Sequence, residues 1–245
     1  MPYTSVTGRI HSFETFGAAD GPGVRYIVFM HGCPFRCAYC HNPDTWASPP
    51  AFEMSADDVL QQALRYRDYW GAEGGITLSG GEPMAQAKFC SELFEKAKAL
   101  KITTCLDTAG GPYDKSNEDI KKLLALSDTV ILDLKLFDPK AHRLLTGCDN
   151  EPVLECARAL SESGKRLWIR RVLVPGVTDD PTDLIKTGEF IRSLKTVEKV
   201  EVLAYHTLGI AKWQKLALQY TLSSVSPPSA EEIARAEALL AGKAN

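Results

Sequence analysis

The chain has 245 residues, 44% of them hydrophobic and 24% charged, with a formal net charge of -3 at pH 7. This composition is ordinary for a folded globular protein and excludes collagen-like, low-complexity and disordered classes. With 28 Lys and Arg against 31 Asp and Glu, there is no basic excess that would favour nucleic acid as a partner. Because no apolar run approaches the length of a membrane span and no secretion signal opens the chain, we expect a cytoplasmic protein without membrane contact.

Short apolar segments alternate with longer amphipathic ones along the chain. Six segments rich in β-branched and aliphatic residues predict strands, at residues 25–31, 76–79, 103–107, 129–134, 167–174 and 199–205. Segments with apolar residues at three- and four-residue spacing predict helices, at residues 55–69, 86–100, 116–126, 151–163, 182–195 and 229–241.

This alternation predicts right-handed crossovers and a mostly parallel sheet covered by helices. A doubly wound sheet and an incomplete barrel both fit the pattern. Reactive side chains fall at or just past the ends of the predicted strands, and a barrel brings all such loops to one face. We therefore predict the α/β class, as a partial (β/α)6 TIM-like barrel. It would form one domain over residues 1–245, with a lead-in over 1–24 and a capping helix over 229–241.

Three of the seven cysteines crowd into eight residues at the end of the first predicted strand. Cys33, Cys37 and Cys40 form a C-x3-C-x2-C run, which favours a metal or redox site over a disulfide framework. An iron–sulfur cluster normally takes four cysteines, so three would leave one iron open for a substrate. Cys90 and Cys156 lie in predicted helices, where we expect them to be small buried hydrophobic residues.

Two other kinds of site remain open on spacing alone. A zinc-stabilised interaction module would need four ligands, and His41, directly after Cys40, would have to supply the fourth. An electron-transfer iron–sulfur protein would need a fourth nearby cysteine, which this run lacks.

The cysteine run, with an aromatic residue before its last cysteine, resembles the hallmark of the radical S-adenosylmethionine superfamily. Neighbouring motifs narrow the resemblance to one branch, the activating enzymes of glycyl-radical enzymes. These motifs are Ser12-Phe13-Glu14, Asp20-Gly21-Pro22-Gly23-Val24-Arg25, Gly32-Cys33, Tyr39-Cys40-His41-Asn42-Pro43-Asp44-Thr45-Trp46, Ser79-Gly80-Gly81-Glu82-Pro83, Leu106-Asp107-Thr108, Leu132-Asp133-Leu134-Lys135, Trp168-Ile169-Arg170 and Tyr205-His206.

The resemblance implies a [4Fe-4S] cluster on Cys33, Cys37 and Cys40, with S-adenosylmethionine at the open iron. It also implies the reaction: one electron from the reduced cluster would split the cofactor, and the 5′-deoxyadenosyl product would take a hydrogen atom from a glycine of a partner enzyme. The implied partner is of the pyruvate formate-lyase type. The alternative is another glycyl-radical enzyme, such as anaerobic ribonucleotide reductase. The implied electron donor is a flavodoxin or ferredoxin, and the implied state is a monomer.

Gly80, Gly81 and Glu82 follow a predicted strand and precede a helix. Paired glycines let the backbone approach a ligand closely near a helix start, although such a turn is more often ordinary loop structure. The resemblance implies that these three residues contact the amino group of the methionine moiety.

Asp133 and Lys135 stand at the end of another predicted strand. They could simply pair with each other at the surface. The resemblance instead implies that they line the ribose and the methionine carboxylate together with Arg170 and His206, because Lys and Arg supply positive charge to an anion. It further adds Tyr39 to the cofactor-binding residues and Asn42 as an adenine contact.

The loop that begins at Asp20 would be an ordinary turn on its own. The resemblance implies that it lies near the bound protein segment, with Asp20 close to the glycine that is attacked. Asp107, with Thr108, resembles a site for a monovalent cation, Na+ or K+, and the resemblance also places Asp107 among the cofactor-binding residues. Ala109 follows where this branch more often has an asparagine, so the contacts of that asparagine would be missing.

Overall fold

The computed structural model describes residues 6–46 and 49–243. The chain forms two compact units, one made of Met1–Pro34 and Thr45–Ile131 and the other of Phe35–Asp44 and Leu132–Asn245. A single domain over the whole chain stays a prediction. Within the described residues, none of the helices combines the length and the apolar character that crossing a bilayer requires.

The strands are β1 (Thr7–Gly17), β2 (Arg25–Met30), β3 (Phe52–Ser55), β4 (Gly75–Gly80), β5 (Thr103–Thr108), β6 (Thr129–Asp133), β7 (Arg166–Leu173) and β8 (Val197–Ala204). The helices are α1 (Ala56–Leu64), α2 (Ala87–Ala99), α3 (Glu118–Leu126), α4 (Pro139–Thr146), α5 (Glu151–Glu162), α6 (Pro181–Ser193), α7 (Ile210–Lys215) and α8 (Ala230–Leu240). The strand order in the open sheet is β3-β1-β2-β4-β5-β6-β7-β8.

The first unit has a parallel core flanked by an antiparallel edge. β2 pairs in parallel with β4, and β4 with β5, while β1 runs antiparallel to both β2 and β3. β2 and β4 are buried along almost their whole length, as expected for parallel strands that are covered on both faces. Helix α1 begins where the Ser55 hydroxyl accepts a hydrogen bond from the Asp58 backbone N–H, an ordinary N-cap.

The second unit contains the parallel pair β7 and β8 together with helices α4 to α8. Helix α4 starts with Asp138 as its N-cap and Pro139 at its first position, and it ends at Gly147 in the left-handed conformation with φ 77°. Helix α8 begins with a capping box between Ser229 and Glu232 and packs against α6.

The predicted fold class is confirmed as α/β with mostly parallel strands. All six predicted strands are present, as β2 and β4 to β8, and so are the six predicted helices. The sheet has eight strands because the antiparallel β1 and β3 extend one edge. The segment predicted as a helix over 55–69 stops at Leu64 and continues as a short 3₁₀ turn at Arg67–Tyr69, just ahead of Gly71 with φ 63°.

Candidate functional site

Within the second unit, the segment that contains Cys37 and Cys40 is attached to the carboxyl end of α4. The Arg36 N–H donates to the Thr146 carbonyl at 2.7 Å, and the Ala38 N–H donates to the Leu145 carbonyl at 3.0 Å. The last carbonyls of a helix lack partners inside the helix, so they are natural acceptors for a neighbouring segment. Helix α4, which the sequence did not reveal, therefore fixes the backbone between the cysteines.

The three cysteines of the run are outside disulfides. Cys37 is buried in the second unit, where Cys40 is half-buried, and Cys33 is half-buried in the first unit. Burial raises the pKa of the Cys37 thiol to about 11, and the charge of Lys135 partly opposes that rise. Iron binds the thiolate, so cluster binding must displace this proton. Thiols outside disulfides and at cluster-ligand spacing thus fit a [4Fe-4S] cluster.

Lys135 is a buried cation beside the cysteine segment, with a relative exposure of 7%. Its Nζ lies 2.7 Å from Asp133 Oδ2 and 5.6 Å from the centre of the Tyr39 ring. Burial lowers the pKa of Lys135, but Asp133, Tyr39 and Cys37 outweigh that effect and raise it well above its ordinary value. Lys135 and Asp133 do pair, yet the alternative of a surface pair is wrong because the lysine is buried.

Arg170 lies near the middle of β7 and is also buried, at 6% exposure. Its Nε donates to Glu201 Oε2 at 2.9 Å, and Lys199 binds the other oxygen of the same carboxylate. Burial raises the pKa of Glu201, but hydrogen bonds from Lys199 and Arg170 outweigh that effect and lower it. The sequence offered no signal for Glu201, which holds the guanidinium in place from the neighbouring strand.

His206 stacks on His41, with ring centres 3.9 Å apart and the planes 21° from parallel. Burial and the neighbouring His206 lower the pKa of His41, so its ring is neutral near pH 7. His206 Nδ1 is buried and has no hydrogen-bond partner among the described residues. Buried polar atoms nearly always have a partner, so this nitrogen fits a hydroxyl or another polar group of a bound cofactor.

Helix α7 contacts the residues that follow the last cysteine. The Trp213 Nε1–H donates to the Cys40 carbonyl at 2.8 Å, and Lys212 Nζ donates to Asn42 Oδ1 at 2.8 Å. Lys212 also forms an ion pair with Asp44, 3.2 Å from its Oδ2. No spacing in the sequence could have revealed these contacts, since they join segments about 170 residues apart.

In the first unit, Gly80 and Gly81 form a tight loop against the end of β2. A Cβ at Gly80, where φ is +101°, would lie 2.6 Å from the Met30 nitrogen, and one at Gly81 would collide with the Gly32 carbonyl. The Gly81 N–H donates to the Met30 carbonyl and the Glu82 N–H to the Gly32 carbonyl, at 2.9 and 2.8 Å. Glycine is therefore required at both positions by packing, quite apart from any ligand.

Glu82 is fully buried, and its carboxylate is engaged by the protein. It accepts hydrogen bonds from the Met84 N–H at 2.9 Å, the Thr108 hydroxyl at 2.6 Å and the Ala109 N–H at 2.8 Å. Asp107, beside Thr108, accepts a hydrogen bond from the Ser79 hydroxyl at 2.6 Å. Hydrogen bonds between these side chains thus join the carboxyl ends of β4 and β5. The sequence predicts these residues at strand ends.

Buried polar groups of the first unit hold the loop after β1 in place through hydrogen bonds. Arg25, at 1% exposure, donates to the Pro22 carbonyl, the Thr77 hydroxyl and the Thr103 hydroxyl, among other acceptors. The Thr77 hydroxyl in turn donates to the Asp20 carbonyl at 2.7 Å. The main chain at Asp20 is therefore fixed independently of its carboxylate.

Each unit contains some of the predicted site residues. The first holds Asp20, Cys33, Gly80, Gly81, Glu82, Asp107 and Thr108, and the second holds Cys37, Tyr39, Cys40, Asn42, Asp133, Lys135, Arg170 and His206. Across residues 6–46 and 49–243, no three His, Cys, Asp or Glu side chains already gather as ligands around one point. The assignment of Cys33, Cys37 and Cys40 as cluster ligands therefore stays a prediction from their spacing.

The comparisons with known proteins agree with this chemistry. The model of the Radical SAM superfamily matches residues 27–188. The chain is 48% identical over 245 residues to the pyruvate formate-lyase-activating enzyme of Streptococcus mutans serotype c, covering 98% of this chain and 93% of the relative. It is 44% identical over 241 residues to the protein of the same name from Listeria monocytogenes, covering 97% of both chains.

Among solved structures, the chain is similar to a domain of pyruvate-formate lyase-activating enzyme from Bacteroides vulgatus. The TM-score is 0.57 at 23% identity, over 69% of this chain and 94% of that one. At this identity the likeness shows the fold alone. Radical SAM activating enzymes use a [4Fe-4S] cluster and S-adenosylmethionine, for which the cysteine thiols outside disulfides and the buried cations provide suitable groups. The chain belongs to the Radical SAM superfamily and, within it, to the family of pyruvate formate-lyase-activating enzymes.

Proposed function

We propose that this protein activates pyruvate formate-lyase by creating a glycyl radical on it. The observation that carries the proposal is 44–48% identity, over nearly the whole chain, to proteins named for that activity. The alternative partner is another glycyl-radical enzyme, such as anaerobic ribonucleotide reductase, which would present the same kind of glycine.

Cys33, Cys37 and Cys40 hold the cluster through their thiolates. Bound there, the cluster would supply the one electron that cleaves S-adenosylmethionine, and the cleaved cofactor would supply the hydrogen-abstracting chemistry at the partner's glycine. Burial of Cys37 and Tyr39 keeps water from one side of this chemistry.

Lys135 and Arg170 bind the carboxylate of the methionine moiety. Two observations support this role: both cations are buried, and each forms an ion pair with a carboxylate that positions it, Asp133 for Lys135 and Glu201 for Arg170. A lysine ammonium has three donors and a guanidinium has five, and both kinds of group bind carboxylates through charged hydrogen bonds. Asp133 positions Lys135 and contacts the ribose.

The remaining cofactor contacts are polar and neutral. His206 binds a ribose hydroxyl through its buried Nδ1, and Asn42 contacts the adenine. Tyr39 packs under Lys135 and lines the cofactor. Backbone groups of Gly80 and Gly81 receive the amino group of the methionine moiety, in a loop whose shape Glu82 maintains.

Two further roles concern the edge of the site. Asp107 and Thr108 bind a monovalent cation, Na+ or K+, through their oxygens, which are the atoms that hard cations prefer. Asp20 contacts the glycine segment of the partner enzyme, and its anchored main chain supports that role. The protein works as a monomer in the cytoplasm, with a flavodoxin or ferredoxin as the electron donor.

The test is anaerobic incubation of the reduced, cluster-loaded protein with S-adenosylmethionine and candidate partners, followed by electron paramagnetic resonance. A doublet on pyruvate formate-lyase whose splitting collapses with α-deuterated glycine supports the proposal. A doublet only on anaerobic ribonucleotide reductase would favour the alternative partner. Cofactor cleavage without a glycyl signal on any partner would instead indicate a radical enzyme that acts on a small molecule.

A further inference from the structure

Helix α7 lies directly against the segment Cys40–Asp44, here called the Cys40 loop. The Trp213 side chain is 6% exposed, and its Nε1–H donates to the Cys40 carbonyl at 2.8 Å. A Cβ at Gly209, just before α7, would lie 3.0 Å from the His41 Cα and 3.3 Å from the Cys40 carbonyl oxygen. The start of the helix therefore approaches the backbone of the loop as closely as a glycine permits.

Lys212 forms the second attachment. Its Nζ is 2.8 Å from Asn42 Oδ1 and 3.2 Å from Asp44 Oδ2, so one ammonium group links two side chains of the Cys40 loop. A hydrogen bond to Oδ1 fixes which end of the Asn42 amide faces the lysine. A charged donor makes this bond stronger than one between neutral groups.

Helix α7 is itself held in place on its other side. The Trp213 ring packs edge-on against Tyr220, with ring centres 5.1 Å apart, and the Tyr220 hydroxyl is 2.8 Å from that of Tyr205. Tyr205 is fully buried and directly follows β8. The attachment to the Cys40 loop thus extends into the core of the second unit.

We propose that Lys212 and Trp213 are positioning residues for cofactor binding. Trp213 fixes the backbone at the last cluster cysteine, and Lys212 orients Asn42 toward the adenine of S-adenosylmethionine. The proposal rests on the function proposed above, since it requires the adenine contact of Asn42. It adds a helix of six residues to the cofactor site, although neither residue needs to touch the cofactor.

The decisive measurement is a double-mutant cycle on the affinity of the cluster-loaded protein for S-adenosylmethionine, measured anaerobically by calorimetric titration. The variants are Asn42→Ala, Lys212→Met and the two combined. Because Lys212 is partly exposed, we expect Lys212→Met to weaken binding about three- to tenfold. If Lys212 acts through Asn42, the double variant binds no more weakly than Asn42→Ala alone.

Lys215→Met is the matched control, because it removes an exposed lysine from the same helix, and we expect unchanged affinity. Lys212→Arg keeps the charge and a donor, so it should recover part of the affinity that Lys212→Met loses. Cluster content is measured by iron analysis in every variant, which separates loss of cofactor affinity from loss of the cluster.

Hydrogen exchange supplies a second readout that does not depend on turnover. Trp213→Phe keeps most of the ring but removes the donor to the Cys40 carbonyl. We expect faster amide exchange in the Cys40 loop, with exchange in β7 unchanged. Unchanged exchange in the loop would overturn the role of Trp213.

The outcomes separate this proposal from the proposed function. If Asn42→Ala weakens binding but Lys212→Met does not, the role of Lys212 is overturned while the adenine contact stands. Independent, additive losses would also overturn it. If Asn42→Ala leaves affinity unchanged, both the adenine contact and the role of Lys212 fail. A coupled cycle in a protein that forms no glycyl radical would support the positioning role and contradict the activase function.

Discussion

The Thr108 hydroxyl donates a hydrogen bond to Glu82 Oε1 at 2.6 Å and so joins the end of β5 to the loop after β4. The other oxygen of Glu82 accepts the Ala109 N–H at 2.8 Å. That contact uses the backbone of Ala109 and does not depend on its side chain. The alanine side chain at position 109 therefore does not weaken this link between the two loops.

The first prediction concerns the stability that this link provides. Glu82→Gln should lower the free energy of unfolding by about 1–3 kcal/mol, because an amide cannot accept from all three donors and places its own donors against an N–H or hydroxyl. Anaerobic urea unfolding of the cluster-free protein, followed by circular dichroism, measures the change. Thr108→Val removes one of the three donors and also the acceptor of the Gly110 N–H, so it should lower the free energy of unfolding as well. Equal stability of Glu82→Gln and the unsubstituted protein would contradict the prediction.

The parallel strands of the sheet could be predicted because their apolar character is continuous and turn residues bound them. β1 could not be predicted because it is a partly exposed antiparallel strand, with a burial pattern that alternates only in its first half. β3 is only four residues long, with two exposed and two half-buried residues, and its pairing with β1 makes it a strand although its sequence gives no strand pattern. The β-propensity of the residues alone is a weak predictor of such segments, because pairing with a neighbouring strand determines whether they form strands.

The chemically distinctive residues of the site could also be predicted, since their types and spacing carry information. The residues that hold them in place could not. Helix α4 is eight residues long and α7 six, too short for a clear helical pattern. Contacts such as Trp213 with Cys40, or Glu201 with Arg170, join distant segments through ordinary side chains, so only the fold reveals them.

The second prediction is that only three cysteines hold the cluster. Alanine at Cys33, Cys37 or Cys40 should abolish iron–sulfur absorbance and activity, because each supplies one ligand of an incomplete set. Cys90→Ala and Cys156→Ala should keep the cluster, since both side chains are buried within helices α2 and α5. Absorbance and iron content after anaerobic reconstitution measure the outcome. Loss of the cluster in either helix variant would contradict the three-ligand assignment.

The third prediction concerns the buried cations. Lys135→Ala and Arg170→Ala should assemble the cluster but bind S-adenosylmethionine more weakly, by about 2–5 kcal/mol, the usual cost of removing one member of a buried charge pair. Calorimetric titration of the reconstituted variants measures the affinity. Lys199→Ala is a useful control, because this exposed lysine binds the same Glu201 as Arg170. Unchanged affinity in both test variants would mean that the two cations serve only the fold.

The fourth prediction is a dependence of stability on pH that arises in α4. His142 is 1% exposed, and burial lowers its pKa below the ordinary value of about 6.5. The unfolded chain therefore takes up a proton at higher pH than the folded chain does. The stabilising contribution is complete above about pH 6.5 and is lost as the pH falls through and below that value.

Urea unfolding at pH 7.5 and pH 5.5 tests this dependence. The unsubstituted protein should lose more stability between the two pH values than His142→Gln, in which the titrating group is absent. The comparison between the two proteins cancels the titration of other groups. An identical loss in both would show that His142 does not contribute to the pH dependence.

The last prediction separates cofactor chemistry from recognition of the partner enzyme. Asp20→Ala should leave cluster content, S-adenosylmethionine affinity and reductive cleavage of the cofactor unchanged, because the proposed contact of its carboxylate is with the glycine segment of the partner. The loop should keep its shape, since the Thr77 hydroxyl binds the Asp20 carbonyl, which the substitution retains. The glycyl-radical doublet on pyruvate formate-lyase should fall, while Glu53→Ala, which removes an exposed carboxylate from β3, should leave it unchanged. A full-strength doublet from Asp20→Ala would exclude this carboxylate from partner recognition, and a parallel loss of cofactor affinity would assign it to the cofactor site instead.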